Sequence, residues 1–280
     1  MSGMVTLTPA AQLLYATLRL ETDVGIGTAF LVSHSWEAGQ GVFLVTNKHV
    51  VEGATTGSVF LTAAANAPPA VTTPRTGDRI DVRWDSLAGI WHPHPQENVD
   101  VTVAPFANVL NLLGEHNRRP FFRTIPTSMF ATAETLADLN VTQDVFFVGY
   151  PSGIFDRVNL LPLFRRGMIA SPPGVDYEGL PAFLIDASVF PGSSGSPVVL
   201  LPWNSGGVTI SVRPQLLGIV ASVFYREDTG RIEMAEIPAK QLLVSVTRQM
   251  IDLGVVFKAP AILDCIAGII ASHESPAETV

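Results

Sequence analysis

The stretch Asp186-Ala187-Ser188-Val189-Phe190-Pro191-Gly192-Ser193-Ser194-Gly195-Ser196-Pro197 decides the reading of this chain. Ser194 sits in a loop flanked by Gly192 and Gly195, and an apolar run follows Pro197. Glycine adopts backbone conformations closed to other residues, so the spacing suits a tight turn that aims N–H groups inward. A serine hydroxyl is a poor nucleophile at neutral pH. It needs a base within hydrogen-bond reach, and the base needs a third group to fix its tautomer. Two upstream segments carry those residue types. Residues 43–51 form a hydrophobic run containing His49, and residues 98–103 bring Asp100 to the start of a strand. In this arrangement His49 takes the proton from Ser194 and Asp100 holds the other imidazole nitrogen. The N–H groups of Gly192 and Ser194 then face the developing oxyanion, an effect worth about 3–4 kcal/mol per donor in a measured case.

Around these segments the chain reads as many short strands. Period-2 patterning places Leu14, Ala16, Leu18 and Leu20 on one face, with Tyr15, Thr17, Arg19 and Glu21 opposite. Strand-like runs follow at 28–32, 42–46, 58–62, 79–84 and 101–106, and then at 145–150, 166–170, 182–185, 197–201, 208–212, 216–224 and 231–235. Helical spacing at Ala239, Leu242, Leu243, Val246 and Met250, behind Pro238, predicts a helix there, with a second at roughly 260–271. The strand-poor stretch at 107–143 is the natural boundary. The expected architecture is all-β, with lobes at 1–120 and 121–250 and a helical extension and tail at 251–280.

Composition narrows the classes. The chain has 280 residues, 47% hydrophobic and 15% charged, too apolar for a disordered protein. Its net charge of -8 and scattered Lys and Arg argue against nucleic acid binding, which requires a basic face. No run reaches about 18 apolar residues, so no membrane span is expected. The N-terminus lacks the pattern of a signal peptide. Cys265 is the sole cysteine, so there is no intrachain disulfide, and the expected compartment is the cytoplasm. Cys265 reads as a buried apolar residue. His92 and His94 read as surface loop histidines, because no Cys or paired carboxylate completes a tetrahedral set. Neither a metal nor a cofactor is expected.

The motifs resemble the trypsin/chymotrypsin superfamily, and within it the bacterial trypsin-like peptidases that include the high-temperature-requirement proteases. The order His49, Asp100, Ser194, with spacings of 51 and 94 residues, is that superfamily's order. Residues 46–49 resemble its T-x-x-H segment, 100–103 resemble D-I-A-V, 192–197 resemble G-[DN]-S-G-G-P, and 25–32 resemble the G-x-G-T-G-F-[LIV] hairpin. Residues 217–222 resemble the strand lining the primary specificity pocket, and Ile237-Pro238 resembles the segment before the last helix. The resemblance implies two antiparallel six-stranded barrels with the site in the cleft between them. It also implies a serine endopeptidase acting on polypeptides through an acyl-enzyme.

Departures from the family pattern carry consequences. Ser193 replaces the acidic residue that, in digestive members, pairs with a new N-terminus. Ala221 replaces a serine that supports the catalytic aspartate, which leaves Asp100 dependent on backbone donors. Ser188 is expected at the base of the primary pocket and Val223 where a glycine keeps it open, so small or medium apolar side chains are favoured. About 30 residues follow Met250, too few for a PDZ domain. Two other readings compete. An α/β-hydrolase esterase needs a histidine after the serine, and only His273 qualifies. A catalytically weak, protease-like binding module or scaffold acting through a partner protein fits the departures at 193 and 221. An active cytoplasmic endopeptidase also calls for control, by a narrow pocket, by oligomerisation, or by a gating protein that orders the 188–195 loop.

Overall fold

The computed structural model describes residues 7–65, 73–113, 119–205, 208–210, 213–231 and 244–274. Helix α1 (Pro9–Ala16) opens the fold. Thr8 caps it by accepting from the Ala11 N–H at 3.2 Å, and Pro9 suits its first turn. The alternation at 14–20 therefore does not mark one strand: its first half is helical, and strand β1 is Thr17–Thr22. The Thr-Pro signal at 8–9 outweighs a short period-2 run that a helix end also satisfies.

The N-terminal half continues with β2 (Gly25–Trp36), β3 (Gly39–Thr46), α2 (Lys48–Val51), β4 (Gly57–Ala64), β5 (Pro74–Trp84), β6 (His92–Pro93) and β7 (Thr102–Pro105). It ends with α3 (Ala107–Leu113), β8 (Pro120–Phe121) and β9 (Ile125–Pro126). These strands form a nine-stranded sheet in the order β5-β4-β1-β2-β3-β7-β6, with β8 on β4 and β9 on β2. The sheet does not close among the described residues, so the first of the two expected barrels is not seen as one. Its edges are β5 and the two-residue β6, whose Pro93 lacks a backbone donor.

The second half matches the barrel expectation. After α4 (Ala133–Asp138) come β10 (Asp144–Gly149), β11 (Leu163–Ile169), β12 (Ala182–Asp186) and β13 (Pro197–Leu200). The short hairpin β14 (Trp203–Ser205) and β15 (Val208–Ile210) follows, then the long strands β16 (Gln215–Arg231) and β17 (Val244–Lys258). Strands β10-β11-β12-β17-β16-β13 close a six-stranded barrel. The helix expected at 239–250 is corrected in part. Residues 244–250 belong to β17, where Met250 pairs with Tyr225 and Val246 with Thr229, and the remainder lies outside the described residues. Cross-strand pairing outweighs helical spacing in a run containing Val244, Val246 and Thr247.

Helix α5 (Pro260–Glu274) closes the described chain. It does not pack chiefly on the barrel from which it emerges; it lies against β6 and β7 of the sheet. Ile262, Cys265, Ile266 and Ile269 are buried in one cluster with Val101 and Val103. Each such apolar side chain contributes about 1.5–3 kcal/mol of burial, so the helix fastens sheet to barrel. The same cluster takes Phe30, Val45, Val148, Val199 and Ile219 from the two halves. His94, expected on the surface, is 5% exposed. Its Nδ1 accepts from the Gln96 N–H at 3.1 Å, and its Nε2 faces Asp264 of α5 at 3.3 Å. Among the described residues no helix is long and apolar enough to cross a membrane.

Candidate active site

Strand β3 ends at Thr46, Asn47 is extended, and the one-turn helix α2 presents His49. The whole turn is tied to the loop that carries Asp100. Asn47 Nδ2 donates to the Asp100 carbonyl at 2.6 Å, and Lys48 Nζ donates to the carbonyls of Gln96 at 2.8 Å and Glu97 at 3.2 Å. Between these anchors, His49 Nδ1 lies 2.5 Å from Asp100 Oδ2, and the His49 N–H donates to Oδ1 at 3.1 Å. A contact that short between a ring nitrogen and a carboxylate oxygen is a hydrogen bond, and with Asp100 ionised it is the Nδ1–H that donates. In the neutral imidazole that tautomer puts the lone pair on Nε2. The second carboxylate oxygen is satisfied by a backbone donor, the kind of support that alanine at 221 calls for.

Ser194 comes from the other half, in the loop between β12 and β13. Phe190, Pro191, Gly192 and Ser193 form a turn closed by the Ser193 N–H to Phe190 carbonyl bond at 2.9 Å. Proline second and a glycine with φ +88° third describe a type II turn. The Pro191 carbonyl accepts from the Ser152 N–H. Because a trans peptide sets C=O and N–H in opposite directions, the Gly192 N–H points away from that contact. Neither the Gly192 nor the Ser194 N–H donates to another described residue. Gly195, also at φ +88°, donates its N–H to Val220, and a Cβ on it would run into the Thr28 carbonyl.

His49 and Ser194 line one cleft of about 450 Å³ with Val24, Ile26, Val189, Phe190 and Ala221. The Ser194 hydroxyl donates to the Ala221 carbonyl at 3.1 Å. Of the expected pocket residues, Ala221 lines the cleft and Ser188 does not; Val189 and Phe190 stand there instead. Ser188 follows the barrel strand β12 and lies beside the buried Val189, which turns inward against Gly254. The side chain of Val223 lies outside the described residues. The lining holds no Asp, Glu, Lys or Arg, and Val24, Ile26 and Phe190 are exposed apolar side chains on its rim. Among the described residues no three His, Cys, Asp or Glu groups are placed to hold a metal.

Sequence reasoning did not single out Thr28, Asn47 or Ser152. Thr28 is fully buried, its N–H donates to the Ser194 carbonyl at 2.9 Å, and its Oγ1 donates to the Gly192 carbonyl at 2.8 Å. The signal available was a threonine inside the glycine-rich 25–32 hairpin, but nothing local says which loop it meets. Ser152 gives no signal beyond its backbone, which is left-handed at φ +48°.

Three comparisons bear on this site. A family model described as trypsin-like peptidase domain matches residues 27–208, a span that contains His49, Asp100 and Ser194. No curated protein matches the sequence. Among solved structures, an inactive form of Rv3671c from M. tuberculosis H37Rv is 18% identical, with a TM-score of 0.46 over 99% of this chain and 98% of that one. The HtrA-type protease AlgW with a tripeptide is 18% identical, with a TM-score of 0.49 over 94% of this chain and 63% of AlgW. The same protease with a decapeptide is 15% identical, with a TM-score of 0.51 over 95% of this chain and 66% of AlgW. At these identities the likeness concerns the fold.

Proposed function

This chain belongs to the trypsin-like peptidase domain family, and from that premise we propose that it is a serine endopeptidase. The observation that carries the reading is the 2.5 Å contact of His49 Nδ1 with Asp100, in a cleft that His49 shares with Ser194. A polypeptide binds extended in the cleft. Ser194 leaves its Ala221 acceptor by rotation about χ1, passes its proton to His49 Nε2 and attacks the scissile carbonyl. Asp100 keeps the imidazole in the required tautomer and stabilises the imidazolium that forms. The oxyanion is received by the N–H groups of Gly192 and Ser194, which are fixed before substrate arrives. The leaving amine takes the proton from His49. Water, with His49 as base, then releases the acyl group from Ser194. With Val189, Phe190 and Ala221 at the cleft, the residue before the cleaved bond is small or medium and apolar.

Labelling by a fluorophosphonate probe tests the nucleophile. The wild-type chain is expected to label, and Ser194→Ala to label not at all. Labelling by the purified chain alone would also show that no gating partner is needed to form the site. A second reading, a protease-like binding module, draws on the Ser194 hydroxyl being bonded to Ala221. It predicts no labelling of the wild type under any condition. A positional-scanning peptide library reads the specificity, and best cleavage after Lys or Arg would overturn the apolar assignment.

A further inference from the structure

We infer that Thr28 is the positioning residue of the oxyanion loop, holding it in its competent turn through a neutral hydroxyl. This inference rests on the endopeptidase reading and adds a residue that touches no substrate. Inside the loop, the Ser193 N–H closes the turn onto Phe190, but no ion pair from position 193 reinforces it. Ser193 is 1% exposed and its hydroxyl meets no hydrogen-bond partner among the described residues, so the position that is acidic in digestive relatives contributes no ion pair here. The loop is instead held from outside. Ser152 fixes the Pro191 carbonyl and Thr28 Oγ1 fixes the Gly192 carbonyl at 2.8 Å. The Pro191 carbonyl shares its peptide plane with the Gly192 N–H, so Ser152 sets that donor directly; the Gly192 carbonyl shares its plane with the Ser193 N–H, so Thr28 holds the peptide that closes the turn onto Phe190.

Thr28 has little freedom to do otherwise. Its Oγ1 accepts from the Tyr150 N–H at 3.1 Å, which leaves the hydroxyl proton for Gly192. Its N–H donates to the Ser194 carbonyl at 2.9 Å, and its carbonyl accepts from Thr46 Oγ1 at 2.8 Å. Thus one residue of β2 meets the loop on both sides of Ser193 and also engages the end of β10. Space for the hydroxyl exists because residue 149 is glycine: a Cβ there would come within 2.8 Å of Thr28 Oγ1. Rotating the Gly192–Ser193 peptide out of its present plane would break both the Thr28 contact and the Ser193 N–H bond to Phe190, which is costly.

The test compares Thr28→Val, which keeps the shape and loses the hydroxyl, with Thr28→Ser, which keeps the hydroxyl. Both are reacted with a fluorophosphonate over a concentration series, giving a maximal inactivation rate and a half-saturation concentration. Thr28→Val is expected to lower the maximal rate about 10- to 100-fold with little change in half-saturation, because the turn that aims the Gly192 N–H is held only part of the time. Thr28→Ser is expected to restore the rate to within about threefold, as one retained hydrogen bond would. A merely structural role would lower the melting temperature without this split between the two constants. If Thr28→Val does not fold, Thr28→Ala replaces it, and the inference then requires Ala to fall as stated while Ser does not. A Val or Ala variant with the wild-type maximal rate overturns the inference, as does Ser falling equally. A wild type that never labels overturns the endopeptidase reading instead, so the two failures are distinct.

Discussion

Asn47 donates its Nδ2 to the backbone carbonyl of Asp100 across 2.6 Å, which fixes the loop bearing the aspartate to the turn bearing His49. Asn47 is fully buried, so water cannot take over the bond in its absence. Asn47→Ala is therefore expected to cost about 1–3 kcal/mol of stability, the penalty of an orphaned buried acceptor. Urea unfolding measures this as a lower midpoint at constant slope. An unchanged midpoint would show that Lys48 alone suffices to hold the loop.

Asp100→Asn separates orientation from folding. The amide oxygen can still accept from the His49 N–H, so the melting temperature should stay near that of the wild type. The imidazole, however, loses the partner that keeps its proton on Nδ1. Turnover should fall by about 10⁴-fold with KM little changed, as for the same change in a well-measured triad. A rise in KM with kcat intact would remove Asp100 from the proposed proton path.

Gly195→Ala joins two penalties at one atom. The residue has φ +88°, and its new Cβ would meet the carbonyl of Thr28. The substitution should destabilise the protein by more than about 1 kcal/mol and abolish fluorophosphonate labelling. Calorimetry and labelling on the same sample decide it; a variant that melts and labels like the wild type would contradict the assigned turn.

Cys265 should be silent in the native protein. It is buried on α5, and burial, reinforced by the neighbouring Asp264 charge, pushes its thiol pKa up to about 12. At pH 8 the thiolate is about one part in 10⁴, and thiolate is the reacting species. Ellman's reagent should find no thiol in the folded chain and one after unfolding in guanidinium. Rapid native modification would show that α5 leaves the sheet readily.

Asp156 gives the loop around Ser152 an acid sensitivity. Its carboxylate accepts from the Asn159 side chain at 2.6 Å and from the N–H groups of Val158 and Asn159, and these bonds lower its pKa from 3.8. A depressed pKa in the folded state adds stability that is complete above 3.8 and is lost as pH falls through the lower folded value. Stability measured at pH 5 and pH 3 should therefore drop less for Asp156→Asn than for the wild type. Equal drops would mean that the loop does not depend on this charge.

The sequence by itself determined the chemistry on offer and the strand content. The glycine spacing around Ser194, the apolar run into His49 and the strand-entry Asp100 are local patterns, and a local pattern records what its own residues can do. The same holds for the second-half strands: β10, β12 and β13 agree with their alternation to within a residue or so. Only the tertiary structure decided what depends on distant partners. It left the first sheet open between β5 and β6, drew residues 244–250 into a long strand against 225–231, and laid α5 on the far half of the molecule. It put Val189 and Phe190 on the lining of the cleft and brought Thr28 to a loop more than 160 residues away. The physical reason is the same throughout. Hydrogen bonds and packing across sequence separations of that size depend on the position of a second segment, and no periodicity within the first can encode it.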